Sequence, residues 1–314
     1  MNRILRIFAP AILLIAGLLG TYLVLLAFGV NTVSYTFLIG FPCLASAVIL
    51  YFRPQGTCRR LIGSLIWLIA IMFGAIVALL ASGLEGLICV AMALIPIILG
   101  TMLGGVLYVI YLRWRNETRG ALNVLVLPVF AFSILSVFHA PPAEYVISNS
   151  VVINAPSDHV FTMIKSIPDI SPEEIPTRLP HLLGIPKPTA AVWEENENGA
   201  TRHSYWGSGV HFFEKITSIE ENKRISWDFE FPEGWIDEGI EDPHVKVGGP
   251  YFDILSGAYM LKEIDGMTRL TLTTRTYDNS GLGFYAEFWH RYFFENFHEV
   301  ILDLVKTRIE GEAI

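Results

Sequence analysis

The chain has 314 residues, of which 53% are apolar, and a formal net charge of −8 at pH 7. Residues 1–140 carry eight Lys/Arg against two acids, a net of +6, whereas residues 141–314 carry fourteen against twenty-eight, a net of −14. So sparse a first half excludes an ordinary soluble domain there, and so acidic a second half excludes binding to nucleic acid or flat adhesion to anionic headgroups, both of which need clustered Lys/Arg.

Five apolar runs open the chain, at residues 4–28, 33–52, 61–81, 84–112 and 121–138. Each is near or above the ~18–20 residues that cross a hydrocarbon core. The first is too long, and followed by too many others, to be a cleaved signal peptide. The fourth holds Pro96 and Gly104-Gly105, which predicts a tilted or kinked helix. The fifth is the shortest and contains Pro128. Arg3 and Arg6, then Arg53, Arg59 and Arg60, then Arg113, Arg115 and Arg119 all fall on one side of this arrangement, which the positive-inside rule makes the cytoplasm. Five crossings then give an integral plasma- or inner-membrane protein with a cytoplasmic N-terminus. Residues 141–314 would lie on the non-cytoplasmic (periplasmic or extracellular) side, or in the cytoplasm were the fifth run not to cross. The runs hold essentially no ionisable residue and no inverted repeat, the marks of a transport pathway. Gly17, Gly20, Gly100, Gly104 and Gly105 suit close helix packing. An anchor is the expectation, with a groove handing a ligand to the second domain as the alternative. Cys43 and Cys89 lie in apolar runs as small filler and Cys58 in a basic loop; the second half has no cysteine, which excludes disulfides and thiolate metal sites there.

The seam is Pro141-Pro142, dividing a transmembrane domain (1–140) from a soluble domain (141–314). Residues 144–153 alternate and predict a strand. Ser157 is the expected N-cap of a helix to about Ser166, with Val160, Phe161 and Ile164 on one face. Pro168, Pro172, Pro176 and Pro180 then recur every fourth residue, and Ser171-Pro172-Glu173-Glu174 has the capping-box pattern of a short helix. This segment reads equally as a lid or as a rigid connection. Strands are predicted at 189–195, 200–209, 210–220, 225–231, 244–254, 256–264 and 267–277, with Asn198-Gly199 and Asp265-Gly266 as tight turns. One long helix, 283–310, ends the chain, and eight aromatics crowd its positions 284–297. The layout is α+β: an antiparallel bent sheet gripping a long C-terminal helix, with a cavity between them.

Val152-Ile153-Asn154-Ala155-Pro156 followed by Ser157-Asp158-His159-Val160-Phe161 resembles the opening of the START-like, or polyketide cyclase/dehydrase (SRPBCC), superfamily. Phe213-Glu214-Lys215-Ile216-Thr217, Arg224-Ile225-Ser226-Trp227 and Gly266-Met267-Thr268-Arg269-Leu270-Thr271-Leu272 extend the resemblance over about residues 145–310, leaving the membrane half outside it. The resemblance implies a helix-grip fold that holds hydrophobic small molecules such as lipids, sterols or polyketides, in some members as an enzyme and in many as a binder.

No cofactor motif stands out. Gly248-Gly249-Pro250 lacks the helix and lysine of a phosphate loop, and no Gly-x-Ser-x-Gly elbow is present. His290 and His298 lie two helical turns apart, about 12 Å, too far to share a metal. Glu238, Glu241, Asp242 and His244 form an acidic loop without defined ligand spacing. For acid–base chemistry the candidates are His203, Tyr205 and Arg202; strand alternation puts His203 and Tyr205 on one face, Arg202 and Trp206 on the other. Arg275 is a candidate for an anionic ligand head. The aromatic residues Trp206, Trp227, Phe229, Tyr259, Trp289 and Phe293 are the candidate lining of an apolar pocket, with a solid aromatic core, or a helix face turned to the membrane, as alternatives. The leading expectation is a membrane-anchored binding module whose partners are the lipid bilayer and a hydrophobic, lipid-like molecule, with no nucleic acid and no protein partner specified. A cyclase/dehydratase-type enzyme using the same cavity is the first alternative. A structural or regulatory membrane protein without a ligand is the second.

Overall fold

The computed structural model describes residues 3–28, 32–51, 61–114, 139–197, 199–237 and 245–312. The chain divides into two compact units, Met1–Pro141 and Pro142–Ile314. The predicted fifth apolar run and the acidic loop around Glu238, Glu241, Asp242 and His244 lie outside the described residues.

The N-terminal unit contains helices α1 (Arg3–Ala27), α2 (Phe41–Tyr51, entered through a π-helical turn Thr36–Gly40), α3 (Leu61–Ala81) and α4 (Leu87–Trp114). Ala47, Ile49, Leu50, Leu68 and Ile71 are nearly sealed from solvent where α2 and α3 meet α4. The crossing of α4 is set by two glycines four residues apart. A Cβ at Gly100 would lie 2.2 Å from the Ile39 carbonyl oxygen, and one at Gly104 2.2 Å from that of Cys43. Only a residue without a side chain permits so close a backbone approach. Among the described residues, one stretch, Leu87–Tyr108, is long and apolar enough to cross a membrane; Ala11–Ala27, Thr36–Leu50 and Leu65–Ala81 are apolar and shorter.

The C-terminal unit is a seven-stranded antiparallel sheet in the order β1-β7-β6-β5-β4-β3-β2. Its strands are β1 (Ala143–Ile153), β2 (Pro188–Asn196), β3 (Gly199–Trp206), β4 (His211–Glu220), β5 (Arg224–Glu230), β6 (Phe252–Ile264) and β7 (Met267–Asp278). Asp265 and Gly266 both take positive φ (50° and 81°), the geometry of the tight hairpin that joins β6 to β7. The strands expected at 244–254 and 256–264 are one element in part. β6 starts at Phe252 and absorbs its irregularity as a register shift between Ile254 and Ser256. Shorter helices α5 (Ser157–Lys165) and α6 (Leu179–Leu182) precede β2, and α7 (Phe284–Glu312) closes the chain. This is a helix-grip architecture: Ile153, Ile225, Leu270 and Leu272 of the sheet pack with Val300, Leu304, Val305 and Ile309 of α7 and with Val160 and Ile164 of α5.

Two details differ from the sequence expectation. Ser157 is the first helical residue of α5 rather than its cap. Pro156, extended at φ −68° and ψ 157°, holds the cap position without a side-chain hydrogen bond, and the Asp158 carboxylate accepts from the His159 amide instead (2.7 Å). The capping-box tetrad at Ser171 forms a turn and no helix. Its Glu174 still reaches back to the Ser171 amide (2.8 Å), and Arg308 of α7 holds that carboxylate at 2.7 and 2.8 Å while donating to the carbonyls of Pro168 and Asp169. Ile167, Ile170 and Ile175 of the same segment are buried. The proline-rich stretch is thus a pinned connection.

Candidate functional site: an aromatic cluster on the inner face of the sheet

The inner face of the sheet, turned towards α7, carries a run of rings in mutual contact. Tyr259 meets Trp227 (centroids 5.2 Å apart), Trp227 meets Phe229 (6.1 Å), Phe229 meets Phe212 (5.9 Å) and Phe212 meets Trp206 (6.4 Å). Trp206 then reaches α7 through Phe297 (5.6 Å), and the rings continue to Phe293 (6.5 Å) and Trp289 (5.6 Å). All six residues of the expected lining therefore belong to one connected set. Their order is closed by Phe212 and Phe297, which sequence reading left out of the lining. Phe231 and Trp235 flank Phe212 at 5.5 and 6.4 Å. The middle of the run differs from its two ends in packing. Tyr259, Trp227, Trp289 and Phe293 are buried, whereas Trp206, Phe212, Phe229, Phe231, Trp235 and Phe297 are half-buried. Six large rings of one cluster thus retain solvent contact.

Beside Trp227 and Tyr259 sits a buried ion pair. Arg202 is 3% and Glu214 6% exposed. The Arg202 Nε–H donates to Glu214 Oε2 (2.7 Å), a second guanidinium nitrogen bonds the same carboxylate, and Nη1 donates to the Ile164 carbonyl (2.7 Å). Ser204 donates to the other carboxylate oxygen (2.7 Å). The guanidinium carbon also lies 4.6 Å from the centre of the Trp227 ring and 5.1 Å from that of Tyr259. Burial, the largest single effect, would by itself lower the pKa of Arg202, but the charges of and hydrogen bonds to Glu214 and Tyr259 together outweigh it and the pKa is raised. Arg202 is accordingly a fixed cation at neutral pH. Burial pushes the Tyr259 phenol up, opposed by Arg202. Trp227 is held from the other side by β6. A Cβ at Gly257 would lie 2.4 Å from the indole, and the buried indole N–H of Trp227 has no hydrogen-bond partner.

Strand alternation does separate His203 and Tyr205 from Arg202 and Trp206, so His203 and Tyr205 face away from the ring cluster. On the outer face His203 lies 3.1 Å from Glu194 and 3.3 Å from the His211 ring nitrogen, and Tyr205 stacks on His211 at 4.3 Å. Burial first, and the neighbouring His203 second, lower the pKa of His211. Arg275 is likewise on the outer face, 3.7 Å from Glu144. It borders a shallow depression of ≈ 290 Å³ with Arg224, Ser226, Ser256 and Thr273.

The two histidines of α7 are anchors. The Thr274 hydroxyl pairs with His298 Nε2 (2.8 Å), whose Nδ1 lies 2.9 Å from Asn149 Oδ1. Burial lowers the pKa of His298 to about 4, so the ring is neutral. With the Asn149 oxygen as acceptor, Nδ1 carries the proton and Thr274 donates to Nε2. Two turns earlier, His290 Nδ1 lies 2.7 Å from the Thr276 hydroxyl, and Nε2 lies 3.4 Å from Asp278. Among the described residues, no group of three or more His, Cys, Asp or Glu is placed to hold a metal ion.

Neither the family models nor the curated proteins yield a match to this chain. Solved structures do. The Zhui aromatase/cyclase from Streptomyces sp. R1128 is similar at 13% identity over 55% of this chain and 97% of that one, with a TM-score of 0.35. A norcoclaurine synthase point mutant from Thalictrum flavum, in complex with a transition-state analogue, matches at 11% identity over 56% and 99%, with a TM-score of 0.34. The XoxI protein of Bacillus cereus matches at 12% identity over 54% and 98%, with a TM-score of 0.33.

Proposed function

We propose that the C-terminal unit binds an apolar, lipid-like small molecule between the inner face of the sheet and α7, and that residues 1–140 fix it to a membrane. The observation that supports binding is the set of six half-buried rings running from Phe229, Phe231 and Trp235 through Phe212 and Trp206 to Phe297. Apolar surface left in water costs about 25 cal/mol per Å², and a bound apolar molecule would recover that for several rings at once. The charged groups beside them, Arg202 and Glu214, are bonded to each other, which favours holding a ligand over transforming it. The membrane reading is supported by the apolar runs, by the span Leu87–Tyr108 and by outward-turned Leu13, Phe73 and Met102. The side on which the C-terminal unit lies, non-cytoplasmic by the placement of the arginines, is part of the same proposal.

The test is organic extraction and native mass spectrometry of the detergent-purified full chain. Wild type should carry a co-purifying apolar molecule, and the half-exposed Phe212→Lys and Phe231→Lys variants should lose it while keeping their circular dichroism. A wild-type protein that is empty after purification, and takes up no added fatty acid or phospholipid, would overturn the reading.

A further inference from the structure

The most exposed rings of the C-terminal unit are neighbours. Phe284 is 79% and Phe288 52% exposed, one helical turn apart at the start of α7, and Tyr292, half-buried, stacks on Phe288 at 6.3 Å. Single exposed aromatics are ordinary, but three at i, i+4 and i+8 form a stripe along one side of a helix. Its position in the fold gives it an occupant. Ala143, the first residue of β1, pairs with Asp278, the last of β7, and the Tyr145 hydroxyl donates to the Gly283 carbonyl (3.2 Å) just before α7 begins. The start of β1 and the stripe therefore share one end of the sheet. Residues 139–142 are all that separate β1 from the apolar run 121–138, a reach of about 14 Å at most at ~3.5 Å per residue.

We propose that Phe284, Phe288 and Tyr292 insert into the interfacial layer of the membrane that holds residues 1–140. The inference rests on the membrane reading above and adds to it a second, non-covalent contact. Amphipathic Tyr and Trp rings settle at the headgroup level, and Phe on an interfacial helix buries at the headgroup/acyl boundary. Charge is not the attraction: residues 141–314 carry a net of −14, and on the stripe's own helix Glu287 and Arg291 neutralise each other at 2.9 Å. The insertion accordingly needs no anionic lipid and is indifferent to salt. It also gives the proposed site a connection to lipid. Phe288 touches Trp289 (5.2 Å), from which ring contacts continue through Phe293 and Phe297 to Trp206. The stripe is thus linked to the proposed site through the buried rings of Trp289 and Phe293.

The experiment reconstitutes the full chain in phosphatidylcholine vesicles whose acyl chains are brominated near the glycerol end, where bromine quenches tryptophan on contact. Phe288→Trp reports the stripe. Val192→Trp, on the edge strand β2 at the opposite side of the sheet, is the control. Most of the emission added by F288W should be lost in brominated vesicles, equally at low and high salt, with little loss from V192W. F288W emission quenched no more than that of V192W overturns the proposal. F288W emission shielded from aqueous iodide yet untouched by bromine also overturns it, since protein and not lipid then covers the stripe. The membrane reading is scored separately by Trp67 of α3, from the difference between wild type and Trp67→Phe: Trp67 unquenched sinks that reading, whereas Trp67 quenched with F288W unquenched sinks the docking alone.

Discussion

Single residues decide how polar groups survive inside the grip. Arg202 and Glu214 satisfy each other, together with Ser204, the Ile164 carbonyl and Tyr259. Removing one partner leaves a buried charge alone, which costs about 3–5 kcal/mol, whereas replacing both by apolar residues of similar size is near neutral. Chemical denaturation should therefore find Glu214→Gln strongly destabilised and the double change Arg202→Met/Glu214→Leu much less so. Simple additivity of the singles would refute the coupling. His298 sets a pH dependence. Its folded pKa of about 4 lies below the ordinary 6.5, so the unfolded chain binds a proton that the folded ring refuses. Stability is then undiminished above about pH 6.5, falls as pH drops towards 4, and loses about 3 kcal/mol from this group at one pH unit per 1.36 kcal/mol. A His298→Gln variant should show a shallower fall over that window in urea titrations. An identical slope would show the ring is not the titrating group.

At the scale of elements, α7 is held by a polar pin at each end of its packed length. Arg308 clasps the turn around Glu174, and its guanidinium holds that carboxylate well below the usual range, at about 2. Arg308→Ala should leave the sheet intact and accelerate amide hydrogen exchange of residues 167–175 several-fold, with little change in global stability, since partly exposed ion pairs contribute about 1 kcal/mol or less. Unchanged exchange would mean that buried Ile167, Ile170 and Ile175 hold the segment by themselves. Much of this level was legible beforehand. The strict alternation of Ile225, Trp227, Phe229 and Phe231, the Asp265-Gly266 turn and the unbroken pattern after Gly283 are local signals, and they placed the strands and the gripping helix. What was hidden depended on partners far apart in sequence. Phe212 joins the ring cluster because Ser204 pairs opposite it across β3 and β4, and Glu214 became the mate of Arg202 through the same register. The capping box at Ser171 failed as a helix because Pro176 lacks the N–H that would bond the Pro172 carbonyl four residues back and so ends the helix at its first turn. Its carboxylate then found an arginine on the last helix.

For the whole molecule, the proposed topology is the point most open to direct measurement. A reporter fused after Ile314 that is active only outside the cytoplasm should be active; activity of a cytoplasm-only reporter at the same position would put the C-terminal unit on the other side and remove the fifth crossing. The strand order carries a further consequence, for synthesis. Strands β2 to β7 form an unbroken meander, each pairing with its neighbour in sequence. β1 alone pairs across the chain, Ala143 against Asp278 and Ile153 against Thr268. It is the first strand to be made and the last to find its partner. Until β7 arrives, β1 waits as an open strand edge, the state in which chains pair wrongly with one another. Fastening that strand at its N-terminal side to a membrane segment, with Pro141-Pro142 between, would keep nascent copies apart laterally and make closure of the sheet a tethered, within-chain search instead of a search through solution.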